Sequence, residues 1–225
     1  MSRLETGWTR AVGRAVQALD LMAALRLEDG SRWGDRAAPF QWADARAVLD
    51  PGGRSPYHFL TRSRGSSKTA DLAGMAVSVM LTQLPAGSRL YGLAADRDQG
   101  RLLLDSVEGF AERTDAIRGA VEVGAYRAVA ANGCSLEILA ADAPGAWGVR
   151  PRFLVIDELA QWANTPSARR LSEAATSAAA TTDCRMAVLT TAGDPAHWSR
   201  KVLEHALTDP LWRVQEVPGP APWLG

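Results

Sequence analysis

Lysine is almost missing from this 225-residue chain: of 25 basic residues only Lys68 and Lys201 are lysines, the others being arginine. Where those two fall therefore carries information that an arginine position does not. Cysteine is equally scarce. Cys134 and Cys184 stand far apart and in no ligand or disulfide pattern, which excludes a disulfide-stapled fold and points to reduced core thiols. Charge of one sign is not in excess, with 25 acidic residues against 25 basic ones. A protein that coats nucleic acid is usually basic, so contact with a polyanion would need a local patch or another subunit. No apolar run approaches the ~20 residues that cross a membrane, and Met1 to Arg10 has no apolar stretch of the signal-peptide kind. His58, His197 and His205 have no metal-ligand spacing, and neither an internal repeat nor a low-complexity segment is present.

What remains is a globular composition, 47% hydrophobic and 22% charged, in a length that suits one α/β domain. Residues 8–28 place Val12, Ala15, Val16, Leu19, Met22 and Ala23 at helical spacing. A second short helix is expected near 41–49, closed by the turn cluster Asp50-Pro51-Gly52-Gly53. From residue 56 strands and helices alternate: strand 57–61, helix 67–84, strand 90–94, helix 97–113, two or three short strands within 120–140, strand 153–156, helix 167–179, strand 186–190, helix 196–207 and strand 212–217. That alternation predicts an α/β fold with a mainly parallel, doubly wound sheet. The expected division is an N-terminal helical segment (1–53), a core (54–217) and a linker-like tail (218–225).

The first chemical signal is the stretch from Tyr57 to Thr69: a strand, then Arg62-Ser63-Arg64-Gly65-Ser66-Ser67, then Lys68-Thr69 opening a helix. Binding a triphosphate calls for this order. Backbone N–H groups in a tight loop and at a helix N-terminus point at phosphate oxygens, a lysine reaches the β- and γ-phosphates, and a hydroxyl binds Mg²⁺. The strict pattern G-x-x-x-x-G-K-[ST] is met imperfectly, with Arg62 at the first glycine position and Ser67 at the second. Taken alone, the loop also reads as an Arg/Ser-rich surface turn.

The second signal is Phe153-Leu154-Val155-Ile156-Asp157-Glu158, a buried strand ending in two carboxylates. Beside a phosphate loop, Asp157 would hold the Mg²⁺ shell and Glu158 would polarise the attacking water. Its plain alternative is a core strand followed by a helix-capping Asp. A third strand, Ala187 to Thr190, runs into Thr191-Ala192-Gly193-Asp194, which reads equally as a γ-phosphate sensor or as an ordinary strand-to-helix turn.

Together these segments resemble the ATPase domain of the large terminase subunit, the DNA-packaging motor of tailed bacteriophages and prophages. That family has a deviant phosphate loop in which an Arg precedes small residues, as in Ser63-Arg64-Gly65-Ser66-Ser67-Lys68-Thr69. It has an apolar strand ending Asp-Glu, as at Asp157-Glu158, and a coupling element like Thr190-Thr191-Ala192-Gly193. Fainter likenesses lie at Ala94 to Gln99 and at Leu139 to Asp142 with Gly148. The resemblance implies a P-loop NTPase fold and the cofactors ATP and Mg²⁺. The implied ATP-binding residues are Arg62 to Thr69, with Thr69 and Asp157 on the metal and Glu158, Lys68 and Arg64 catalytic. Thr190, Thr191 and Gly193 would couple hydrolysis to movement. Gln41 takes the adenine-reading role by the same resemblance, a plain helix glutamine being the equal alternative.

The implied partners are double-stranded DNA, a small terminase subunit, the portal and further copies of the chain in a ring, in the cytoplasm of a bacterial host, with no membrane. Large terminases continue into a nuclease of the ribonuclease H type. The stretch Pro218 to Gly225 resembles the linker to it, so DNA cleavage is not expected of this chain. Arg169 and Arg170 are candidates for an arginine acting between subunits, or a solvated helix face; Trp162 and Trp198 are core residues or a pocket rim. Other readings of the same features are a degenerate prophage remnant that binds without turnover and a helicase or recombinase ATPase. A small-molecule kinase is disfavoured by Glu158 and the Thr-Thr-Ala-Gly element.

Overall fold

The computed structural model describes residues 17–140 and 150–223. Its strands alternate strictly in the face they bury. Phe153 and Val155 enter one apolar cluster, while Leu154 and Ile156 enter another; Ala187 and Leu189 likewise part from Met186 and Val188. A strand with both faces in a core needs helices on both sides, and that is the architecture.

The strands are β1 (Tyr57–Thr61), β2 (Arg89–Ala94), β3 (Val121–Val123), β4 (Arg127–Ala130), β5 (Ser135–Ala140), β6 (Phe153–Asp157), β7 (Arg185–Thr190) and β8 (Trp212–Glu216). They form one sheet in the order β3-β4-β5-β2-β6-β7-β1-β8. From β5 to β8 every neighbouring pair is parallel, and only β4 runs against the rest, pairing antiparallel with β3 and with β5 at one edge. The helices are α1 (residues 17–24), α2 (Trp33–Arg36), α3 (Pro39–Val48), α4 (Lys68–Thr82), α5 (Arg97–Arg113), α6 (Pro166–Thr181) and α7 (Ser199–Thr208). The expected helix over 8–28 is seen at 17–24, and its residues 8–16 lie outside the described ones, as do Ala141, Asp142, Gly148, Leu224 and Gly225. The four-residue helix α2 is too short for periodicity to show.

One face of the sheet is covered by α1, α3, α4 and α5, with Met22, Leu25, Trp33, Val48, Leu72 and Phe110 in one cluster. Gly74 lets α1 approach α4, since a Cβ there would lie 2.7 Å from the Met22 sulfur. The other face holds α6, α7 and the short turn Leu159–Gln161, packed through Trp162, Leu171, Trp198 and Trp212. Both cysteines are buried and free. Among the described residues no helix is long and apolar enough to cross a membrane.

The order β6-β7-β1 matters most for the site. These three parallel neighbours pair Asp157 with Leu189 and Thr190 with Thr61, so their carboxyl ends finish side by side at one edge. Ligands of open α/β sheets bind at that edge.

Candidate functional site at the strand ends

The loop after β1 leaves the sheet at Arg62, whose N–H donates to the Thr190 carbonyl at 2.9 Å. It closes on itself: the Ser66 hydroxyl and the Lys68 ammonium both donate to the Ser63 carbonyl, each at 2.7 Å. Gly65 sits at φ 73° and Ser67 at φ 56°, both left-handed. Glycine accepts that geometry freely; for serine it costs on the order of 1 kcal/mol. The loop is thus forced through the turn that a second glycine would take at no cost. Helix α4 follows, and the Ser67 side chain makes no capping bond to it. Its first-turn N–H groups and macrodipole face the loop, a favourable setting for an anion.

The two halves meet in direct hydrogen bonds. Thr69 Oγ1 donates to Asp157 Oδ2 at 2.7 Å, and Lys68 Nζ lies 3.1 Å from Glu158 Oε1. Glu158 is left-handed (φ 50°), which turns its carboxylate off the strand line. Its second oxygen accepts from the Thr191 N–H at 3.0 Å. Asp157 is 1% exposed, and burial pushes its pKa up to about 6, helped by the Glu158 charge and opposed by Thr69 and Lys68. Its Oδ1 has no hydrogen-bond partner of good geometry, although Gln99 stands close enough to lower the pKa slightly. A buried carboxylate with one oxygen unclaimed, next to a hydroxyl, fits the protein's share of a Mg²⁺ shell completed by phosphates and water. Among the described residues no cluster of three His, Cys, Asp or Glu could hold a metal unaided.

Thr190 and Thr191 attach this centre to the turn Leu159–Gln161. Thr190 Oγ1 accepts from the Ala160 N–H at 2.9 Å, and Gln161 Nε2 donates to Thr191 Oγ1 at 3.0 Å. Gly193 presses on the same turn; a Cβ there would come within 2.7 Å of the Ala160 Cβ. Trp162 is buried and donates to the Asp157 carbonyl at 2.9 Å, so it underpins the carboxylate strand from the core. Trp198 is buried beside it, and Arg169 and Arg170 are exposed on α6. His197 spans Ser199 and the Trp162 carbonyl.

Two residues expected at the ligand face elsewhere. Arg62, expected within the ATP-binding loop, is 1% exposed, and its guanidinium turns inward to Asp44 and Asp71. Gln41 is also buried, its amide donating to both Asp71 oxygens and its carbonyl accepting from Ala38 N–H, so it is not displayed to a base. Arg64, by contrast, is exposed and lines an open cleft of about 510 Å³ together with Ser63, Gln161, Thr191 and Gly219. Gln161 was not singled out in the sequence, since nothing marks a glutamine three residues beyond Glu158. The chain's last described residues also reach the loop: Val217 N–H donates to the Thr61 carbonyl and the Trp223 indole to the Gly65 carbonyl, both at 2.9 Å.

No protein-family model matches the sequence, and no curated protein matches it significantly. Solved structures do match. The large terminase of bacteriophage HK97 is similar over 93% of this chain, with a TM-score of 0.77 and 16% identity. The ATPase domain of the Thermus phage P74-26 large terminase matches 80% of this chain and 80% of its own length, at TM-score 0.61 and 17% identity. The large terminase of another thermophilic bacteriophage matches 90% of this chain at TM-score 0.55 and 9% identity. At such identities the likeness is one of fold: the chain shares the helix-flanked α/β fold of these large-terminase structures. It spans 45% of the length of the HK97 protein.

Proposed function

We propose that this chain is the ATP-hydrolysing part of a DNA-packaging motor of the large-terminase kind, driving double-stranded DNA into a phage capsid. The observation that carries the reading is the pair of contacts joining loop to strand, Thr69 to Asp157 and Lys68 to Glu158. It unites a phosphate-binding cation, a metal-binding pair and a carboxylate at one helix N-terminus.

In this reading the N–H groups from Ser63 to Thr69 and the Lys68 ammonium hold the phosphate chain. Thr69 and Asp157 would hold Mg²⁺, which would supply positive charge to the phosphates. Lys68 now donates to Ser63 and Glu158; a γ-phosphate competes for those bonds and frees one Glu158 oxygen. That carboxylate then orients a water in line with the γ-phosphorus. The new P–O bond forms to water, the bond to the β–γ bridging oxygen breaks, and Glu158 takes up the water proton. Arg64, exposed at the cleft, meets the charge that develops on the phosphoryl oxygens. Because Glu158 stays bonded to Thr191 N–H, the state of the γ-phosphate passes to Thr190, Thr191 and Gly193. The motor would act as a ring of copies on a portal, with a small terminase subunit selecting DNA, in the host cytoplasm. Residues 1–53 would serve as a helical segment on the core and 218–225 as a linker.

Two observations favour a second reading, a nucleotide binder without turnover: Lys68 and Glu158 satisfy one another, and Ser67 strains the loop. DNA dependence tests the motor reading. ATP turnover by the purified chain should rise when double-stranded DNA is added and respond less to a single strand. Hydrolysis indifferent to every nucleic acid would count against a packaging motor while leaving an ATPase in place.

A further inference from the structure

Arg62 stands where the strict phosphate-loop pattern has its first glycine, yet its side chain points beneath the loop. Its Nη1 meets Asp71 Oδ2 at 2.5 Å, and its Nη2 and Nε meet Asp44 Oδ2 at 2.8 and 3.2 Å. The same Nη1 lies 3.5 Å from the Ser66 carbonyl, and the Phe40 ring covers the guanidinium at 5.0 Å. Asp71 is saturated from the other side by Trp33 Nε1 at 2.7 Å and by Gln41 Nε2 at 2.9 and 3.1 Å. Asp44 takes Arg213 Nη1 from β8 at 3.2 Å on its remaining oxygen. Both carboxylates are 0% exposed. Burial raises the Asp71 pKa, and Arg62 is the main opposing influence.

Stability alone is a poor reason for such a cluster. Each buried ion forfeits its hydration, and apolar replacements of similar volume are often as stable. What the cluster does supply is geometry. Arg62 is the first residue after β1 and Asp71 lies in the first turn of α4, so their ion pair ties both ends of the loop across its base. The loop above cannot rely on glycine at either end, since Arg62 and Ser67 replace both. Its shape must be set by something else, and the Arg62–Asp71 bridge is placed to do so. Asp44, Trp33 and Gln41 in turn anchor that bridge to the N-terminal helices.

We propose that Arg62 is a positioning residue for triphosphate binding: by bridging Asp71 and Asp44 it sets the span between β1 and α4, and so shapes the ring of N–H donors from Ser63 to Thr69. This rests on the phosphate-site reading above. Arg213 supplies the internal control, because it touches the same network at Asp44 but not the loop.

The test compares wild type with Arg62→Lys, Asp71→Asn and Arg213→Ala. Mg·ATP affinity is measured by calorimetry at a temperature where circular dichroism shows each variant folded, and melting temperature is measured separately. Arg62→Lys and Asp71→Asn should each weaken Mg·ATP about tenfold or more, and the double variant should lose little beyond either single change. Arg213→Ala should lower the melting temperature yet keep affinity within about twofold of wild type. The inference is overturned if all three variants lose melting temperature while Mg·ATP affinity stays within about twofold throughout. Failure of wild type to bind Mg·ATP would instead remove the phosphate-site reading, and this inference with it.

Discussion

Thr69 Oγ1 and Asp157 Oδ2, 88 residues apart in sequence, are hydrogen-bonded at 2.7 Å. The bond joins the first turn of α4 to the end of β6 and leaves Asp157 Oδ1 unclaimed beside it. The pair sets a hydroxyl and a carboxylate side by side, a donor set suited to Mg²⁺. Thr69→Val keeps the shape and removes the oxygen. It should raise the Mg²⁺ concentration for half-maximal turnover about tenfold or more, as loss of a metal-supporting group generally does. Thr69→Ser should restore it. An unchanged Mg²⁺ titration for Thr69→Val would remove Thr69 from the metal site.

Ser67 sits at φ 56°, exposed, with no capping hydrogen bond from its side chain. Ser67→Gly therefore relieves left-handed strain and sacrifices no contact. The expected gain is about 0.5–1 kcal/mol after the entropy that glycine adds to the unfolded chain. Thermal unfolding should show a higher midpoint, and Mg·ATP affinity should not fall. A lower midpoint would mean that the serine hydroxyl does something the geometry does not reveal.

Gly193 has no room for a methyl group, because a Cβ would stand 2.7 Å from that of Ala160. Gly193→Ala must move the turn that bonds Thr190 and Thr191, and Thr191 N–H holds Glu158. A shift there should cost turnover about tenfold or more and leave nucleotide affinity nearly intact, since misplacing a catalytic group slows the step it orients. Equal losses in affinity and turnover would argue for general disruption.

His58 lies in the middle of β1, 2% exposed, with Nδ1 unpaired. Burial, with Arg213 and Arg185 nearby, lowers its pKa to about 3. Since its unfolded value is 6.5, the unfolded chain takes the proton first as pH falls. The stability of the neutral, buried ring is thus complete above pH 6.5 and drains below it, at about 1.4 kcal/mol per pH unit. Chemical denaturation at pH 7 and pH 5 should show His58→Leu losing about 2 kcal/mol less than wild type between the two. Identical acid losses would contradict a neutral buried histidine.

Much of this fold was legible because its strands are short apolar runs that end in polar or turn residues. Phe153 to Ile156 and Ala187 to Leu189 read as buried strands, and parallel order follows from the helices between them. The residues read as a loop, a carboxylate pair and a threonine pair do finish together at one sheet edge. The antiparallel edge pairing of β3 and β4 was less visible, since short strands in a loop-rich stretch leave direction open. Side-chain direction was not legible at all. Arg62 stands at a glycine position of the loop pattern, and the buried carboxylates of Asp44 and Asp71 turn its side chain inward. Those two aspartates lie on different helices and form no local pattern with it. Gln41 was hidden in the same way, its amide drawn to Asp71 by a contact 30 residues away. The Trp223 bond to the Gly65 carbonyl, spanning 158 positions, belongs to the same class.

The most direct test of the account is a paired measurement of Mg·ATP binding and ATP turnover, with double-stranded DNA present, on wild type and Glu158→Gln. Wild type should bind and hydrolyse ATP. Glu158→Gln should bind it at least as well, because the Lys68 ammonium is released from its carboxylate partner, and should show no turnover. Wild type that fails to bind ATP, or Glu158→Gln that hydrolyses it at the wild-type rate, would contradict the assignment of this site.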